Sequence, residues 1–347
     1  MNNKNILVQA FLKSFDYSTK EQAFLLEKSV PVINESIDKK VYIQYVDQWL
    51  KNCPSCNISA EDYTIECYDR ATTAIQGLLR ENIDNDTLLV CTNKEHPALT
   101  SILHEFKNVY VMNYDTEIIS ENLVFIKNEI KKYKKVVIYC IGTTAEGFIT
   151  PNYFLCQLKE FLENNNVEHL LILDDCQGMF FVPRDYSIFD HIIYTCHVYL
   201  RDFDMGIVLS KNNKIHTDVK AVTNLIHFLK CTDLLMNNYL KASYLMKNIC
   251  QMYFEDYFSK GMLRLPKYYS INTIWCCQVP NFKIDKETFK KVETELKTYE
   301  VNITKPSQDR IPYVYIHCRC FQYLTMPNLF LPALKAIENT IKTYQKL

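Results

Sequence analysis

The sequence predicts an α/β protein in which a large domain, built on a mostly parallel sheet flanked by helices, precedes a smaller C-terminal α/β domain. Three observations carry this. Between about residues 70 and 210, short apolar runs alternate with helical patterns, the mark of parallel strands joined by crossover helices. The runs are apolar almost throughout, as expected of strands covered on both faces. At 347 residues, 48% hydrophobic and 23% charged, the chain is ordered and long enough for two cores.

The elements follow in order. An N-terminal helical segment is expected over 1–60, the large domain over 61–235, and a linker helix with the small domain over 236–347. Strands are expected at 87–91, 109–113, 136–141, 170–174, 192–196 and 206–209, and helices at 72–79, 98–106, 122–135 and 152–164. Pro97 and Pro151 stand near two helix starts, where a missing N–H costs least. Beyond residue 215 a long helical pattern runs to 249. Strands near 273–279 and 313–318 follow, and a helix over 329–344 closes the chain.

Composition narrows the function classes. Lys plus Arg number 39 against 40 acidic residues, a net charge of -1, which leaves no basic excess for a nucleic-acid backbone. No apolar run reaches the roughly 18 residues of a membrane span, and the N-terminus lacks a signal-peptide pattern, so a cytoplasmic location is expected. There the 14 cysteines are read as reduced and mostly packed in the core. Cys53 and Cys56 have metal or redox spacing. Cys318 and Cys320 could supply the second pair of a metal site, but strand periodicity puts them on one face in any case, so structural packing is the preferred reading and no metal is expected. The chain has six glycines where average usage gives about 24, so each is expected where the backbone demands one.

In open α/β sheets, ligands bind beyond the carboxyl ends of the strands. Four such positions are chemically loaded: Lys94-Glu95-His96-Pro97-Ala98, Gly142-Thr143-Thr144-Ala145-Glu146-Gly147, Asp174-Asp175-Cys176-Gln177-Gly178, and Thr195-Cys196-His197.

The order of these pieces resembles the fold-type I pyridoxal-phosphate enzymes, most closely the aminotransferase class V and cysteine desulfurase branch. The resemblance implies a mainly seven-stranded sheet. Ala71-Thr72-Thr73-Ala74 is similar to the turn opening the family's phosphate-binding helix, which makes Thr72 and Thr73 phosphate ligands. Glu95-His96-Pro97-Ala98 resembles the family's Glu-His-x-Ala, with His96 stacked on the pyridine ring. Asp174-Asp175-Cys176-Gln177 resembles Asp-x-x-Gln, implying that Asp174 holds the pyridine nitrogen and Gln177 the ring hydroxyl. Thr195-Cys196-His197-Val198 resembles Ser-x-His-Lys, with Thr195 and His197 at the phosphate. Lys230-Cys231-Thr232 falls where the family's Gly-Thr reaches the phosphate of a neighbouring subunit.

The departures bear on function. The family's Schiff-base lysine falls on Val198, and the next lysine is Lys211. Thr144 stands for an asparagine, and the arginine that clamps a substrate carboxylate falls on or near Tyr315, with Arg319 four residues on. The resemblance therefore implies non-covalent binding of pyridoxal or pyridoxamine phosphate. A small-molecule amine, amino acid or amino sugar would be the substrate, His197 the general base beside the missing lysine, and a homodimer the assembly. The alternative is a pseudoenzyme serving as scaffold, partner subunit or ligand sensor. A third reading is a metal protein built on Cys53, Cys56 and other thiols.

Overall fold

The computed structural model describes residues 44, 47–48, 50–51, 56–59, 61–112, 119–178, 182, 184–195, 206–211, 240–266, 274–305, 313–320 and 322–345. They fall into two compact units: residues of 31–145 and 149–233 in one, and residues of 146–148 and 234–347 in the other.

The larger unit runs β1 (Tyr63–Tyr68), α1 (Ala71–Asn82), β2 (Thr87–Thr92), α2 (Pro97–Thr100), β3 (Val109–Met112), α3 (Ile119–Ile130), β4 (Lys135–Ile141), α4 (Asn152–Asn164), β5 (Glu168–Asp174), β6 (His191–Thr195) and β7 (Gly206–Lys211). Its seven strands are ordered β1-β7-β6-β5-β4-β2-β3. Strands β2 to β6 pair in parallel, and β7 runs antiparallel to both β6 and β1. Every residue of β2 is buried, as are six of seven in β4. This is why their sequences read as unbroken apolar runs.

Helix α1 lies on one face of this sheet. Its Ala74, Ile75, Leu78 and Leu79, spaced along one helical stripe, pack with Leu89, Cys91, Val137, Tyr139, Ile172, Ile193 and Val208. All five strands from β2 to β7 other than β3 thus contribute to one core, which fixes the carboxyl ends of β2, β4, β5 and β6 in a row.

Two expected helices are corrected. The helix expected over 98–106 stops at Thr100, and only a 3-10 turn, Leu103–Glu105, follows. The Ser101 hydroxyl donates to the Ala98 carbonyl at 3.2 Å, and Ile102 leaves helical geometry at φ -112° and ψ 1°. The helix expected over 122–135 begins at Ile119 and ends at Ile130, because Lys135 opens β4 opposite Thr87 of β2.

The smaller unit runs α5 (Leu240–Tyr253), α6 (Glu255–Ser259), β8 (Ile274–Pro280), α7 (Lys286–Lys297), β9 (Val301–Thr304), β10 (Tyr313–Arg319), α8 (Gln322–Thr325) and α9 (Pro327–Tyr344). Its sheet is antiparallel, ordered β8-β10-β9. Trp275 of β8 is fully buried and stacks on Phe254 with ring centroids 5.1 Å apart. Residues 146–148 join this unit: the Thr304 hydroxyl donates to Glu146 at 3.0 Å, and Phe148 meets the edge of Tyr315 at 5.0 Å. Of the long helical pattern expected to 249, the described part is α5 alone. Among the described residues no helix is long and apolar enough to cross a membrane.

Candidate functional site

Asp174 ends β5 between Ile141 of β4 and Ile193 of β6 in the strand register. Its carboxyl is buried and accepts two hydrogen bonds, from the Tyr139 hydroxyl at 2.7 Å and from the Cys176 backbone N–H at 3.1 Å. Tyr139 is fully buried, and its phenol is held far above its ordinary pKa by burial and by the acidic groups beside it, so it stays a donor.

Glu95 lies in the turn after β2 and is 8% exposed. Its Oε1 accepts from the Thr92 N–H at 2.9 Å and from the Thr92 hydroxyl at 2.6 Å. Burial pushes its pKa up to about 8 with help from Asp174, against the lowering effect of the Thr92 and Ile141 hydrogen bonds. Glu95 is therefore mostly protonated at neutral pH. Its Oε2 is buried and has no partner among the described residues. A neutral acid and the Asp174 carboxyl thus share one patch at the strand ends, a pairing that like-charge repulsion would oppose if both ionised.

Asp175 does not sit in a solvated turn, the ordinary fate of an acidic pair after a strand; it is completely buried. Its Oδ2 accepts from the Tyr186 hydroxyl at 3.1 Å, and Gly178 follows because a Cβ there would lie 2.2 Å from Asp175 Oδ1. Arg184, 7% exposed, donates to the Gly142 carbonyl at 2.8 Å with its guanidinium 5.9 Å from the Tyr186 ring centroid.

The N-terminus of α1 is the other half of the site. Its N-cap, Arg70, is extended and makes no side-chain capping bond, and the first turn carries no acidic residue. Uncapped first-turn N–H groups and the positive end of the helix dipole make this an anion-binding position. Thr72 is half-buried and Thr73 exposed. Gly206 opens β7 against this turn: a Cβ there would come within 2.6 Å of the Ala71 nitrogen. Thr195, half-buried, pairs with Gly206 in the register, so it stands at the same end of the sheet.

The remaining sequence candidates are placed as follows. His96 is exposed and caps α2, its Nδ1 accepting from the Ala98 N–H at 3.1 Å, which fixes the proton on Nε2. Thr144 is fully buried and Gln177 half-buried. Tyr315, expected on or near the position of a carboxylate-clamping arginine, is 9% exposed and packs on Phe148 and Tyr313 in the smaller unit. His197, Val198 and Thr232 lie outside the described residues, as does Cys53. Cys56 is described, and its thiol donates to the Ile58 carbonyl at 3.7 Å.

Sequence reasoning missed Tyr139, Tyr186 and Arg184, and it assigned no role to Glu95. Only the β4–β5 register brings Tyr139 to Asp174, and no local spacing announces it.

Comparison with known proteins places this geometry in a fold. Solved structures align along nearly the whole chain. A NifS-like protein from Rickettsia africae matches with TM-score 0.66 and 14% identity, over 94% of this chain and 96% of that one. Cystalysin from Treponema denticola, which contains a pyridoxal 5'-phosphate cofactor, matches with TM-score 0.65 and 11% identity, over 93% and 87%. Serine palmitoyltransferase from Sphingomonas wittichii matches with TM-score 0.59 and 11% identity, over 93% and 83%. No protein-family model matches the sequence, and no curated protein matches it by sequence. The chain has the fold of the fold-type I pyridoxal-phosphate enzymes.

Proposed function

We propose that this chain binds pyridoxal or pyridoxamine phosphate non-covalently at the carboxyl ends of β2, β4, β5 and β6, and acts there on an amine, amino acid or amino sugar. The observation that carries the reading is the pairing of a buried carboxyl, Asp174, with an uncapped helix N-terminus at the same end of one sheet. The described residues fit such a group. The Asp174 carboxyl accepts one bond on each oxygen, and a carboxylate has about four acceptor sites, so room remains for a ring N–H.

In this reading the α1 N–H groups, Thr72, Thr73 and Thr195 hold the phosphate. His96 lies against the ring, its tautomer set by the α2 cap. Asp174 holds the ring nitrogen in its protonated form, and Gln177 and Thr144 hydrogen-bond the ring substituents. Bound pyridoxal phosphate supplies an electron-withdrawing ring that stabilises negative charge beside the substrate nitrogen. Tyr139 keeps Asp174 oriented, and protonated Glu95 places no negative charge beside it. His197 is the group that moves the proton, with Val198 unable to do so. Thr232 reaches the phosphate of the second subunit in a homodimer, and the compartment is the cytoplasm. Val198 also supports a second reading, a protein that retains the ligand site without turnover.

Titration with each cofactor, followed by absorbance and thermal shift, tests the site. Saturable binding of at least one is expected, weakened roughly 10- to 100-fold in Asp174→Asn, the loss of one charge-assisted hydrogen bond. No binding by the wild type, or unchanged affinity in that variant, overturns the reading. With binding in hand, Val198→Lys should attach pyridoxal phosphate covalently with a new visible band. Turnover of amine donors by the wild type, lost in His197→Asn, separates the enzyme from the second reading.

A further inference from the structure

In the smaller unit three thiols converge. Cys250 on α5, Cys318 on β10 and Cys320 just past its end are 0%, 1% and 0% exposed, and their sulfur atoms all lie within 4.8 Å of one another. Other described cysteines, such as Cys91, Cys140 and Cys277, are buried without belonging to such a group. Strand periodicity points Cys318 and Cys320 to one side, and α5 adds the third sulfur there.

Geometry matches a metal. At a metal–sulfur distance of about 2.3 Å, sulfurs around one ion stand roughly 3.8 Å apart in a tetrahedron and about 4.0 Å apart in a trigonal plane. Both fit inside the observed limit. Thiolates select soft d10 cations, and among the described residues no fourth Cys, His, Asp or Glu joins the group. Structural zinc sites are almost always four-coordinate. Three sulfurs, the set found among the described residues, favour the monovalent ion that accepts three thiolates.

We propose that Cys250, Cys318 and Cys320 form a three-coordinate thiolate site for a soft d10 cation, with Cu(I) preferred over Zn(II). Binding replaces the thiol protons by the metal without any change of oxidation state, and it ties α5 to the end of β10. The site is independent of any cofactor in the larger unit.

The reduced full chain, equilibrated anaerobically with Cu(I) buffered by a chromogenic chelator, should retain one equivalent. A thiolate-to-metal absorption band should appear, and about two to three protons should be released per ion in weakly buffered solution, since ligating thiols must deprotonate. Cys250→Ser and Cys318→Ser should each lower the affinity at least tenfold, and Cys156→Ser on α4 should not. Failure of the wild type to retain Cu(I), or retention without proton release, overturns the site whether or not the variants fold. Equal retention by well-folded Cys250→Ser and Cys318→Ser overturns it too. Stoichiometric zinc uptake in preference to Cu(I) overturns the three-coordinate assignment.

Discussion

At the strand ends of the larger unit buried carboxyls gather, whereas in the smaller unit buried thiols do. Glu95, Asp174 and Asp175 are each at most 8% exposed, and each keeps its place through directed donors: Thr92, Tyr139, the Cys176 N–H and Tyr186. Cys250, Cys276, Cys277, Cys318 and Cys320 are at most 1% exposed and need little of this, because a neutral thiol packs as a small hydrophobe. Burial of oxygen acids is costly without partners, so where it occurs the partners report what the fold maintains. Clustered thiols carry information of another kind, in their mutual distance.

The largest expected effect tests whether Glu95 is buried as a neutral acid. Its folded pKa, about 8, lies above that of an unfolded glutamate, so between roughly pH 4.5 and 8 the native state binds the proton that the unfolded state has released. Stability from this group is therefore greatest at low pH and falls as pH rises through that window. Glu95→Gln, which mimics the protonated form, should be close to neutral at pH 5. At pH 9 it should stabilise the protein by on the order of a few kcal/mol. Urea unfolding at the two pH values reads the difference, and an equal effect at both would place an ionised carboxylate in the site.

How much of this was legible follows from which forces are local. The parallel strands β2, β4, β5 and β6 announced themselves because burial on both faces leaves continuous apolar runs, and the edge strand β3 did so through an apolar sequence even though Val111 is 45% exposed. Strand β1 did not: Thr64 and Glu66 alternate with buried Tyr63 and Ile65, so its six residues make no such run. Strand β9, four residues with Asn302 inside it, carried too little pattern. Asp174, Gln177, His96 and Thr195 could be picked out because their positions after strands are set by sequence alone. What those side chains touch was not legible, since Tyr139 reaches Asp174 only through pairing of β4 with β5, and Cys250 reaches Cys318 only through the packing of α5. Cys318 and Cys320 read as core residues sharing one strand face, with a metal site shared with Cys53 and Cys56 only the alternative. In the structure their partner is Cys250, and Cys53 lies outside the described residues.

A middle-sized effect sets the two regions directly against each other. Tyr139→Phe removes one oxygen and leaves Asp174 Oδ2 short of its donor, at a cost of about 1–3 kcal/mol. Cys277→Ala removes a whole buried sulfur whose polar contact is a weak one with the Ile316 backbone, so it should cost only about 1 kcal/mol, mainly for the small cavity. Chemical denaturation of both variants decides the order. A Cys277→Ala loss exceeding that of Tyr139→Phe would show that tight packing, rather than polar pairing, is the stricter requirement.

The smallest effect divides the glycines. Gly206 is demanded, because any Cβ would strike the backbone of Arg70 and Ala71, where the α1 turn opens the anion position. Gly77 contradicts the expectation that each of six glycines meets a backbone demand: it lies within α1, and a Cβ there would meet nothing within 4 Å. Glycine inside a helix is worse than alanine by roughly 0.5–1 kcal/mol through the entropy of the unfolded chain. Gly77→Ala should therefore raise stability by about that amount and leave cofactor affinity unchanged, since residue 77 lies more than one helical turn past the uncapped N–H groups. Gly206→Ala should lower both stability and affinity. If Gly77→Ala is destabilising, or if it alters binding, then α1 is not the independent rigid support that the larger unit's polar site requires.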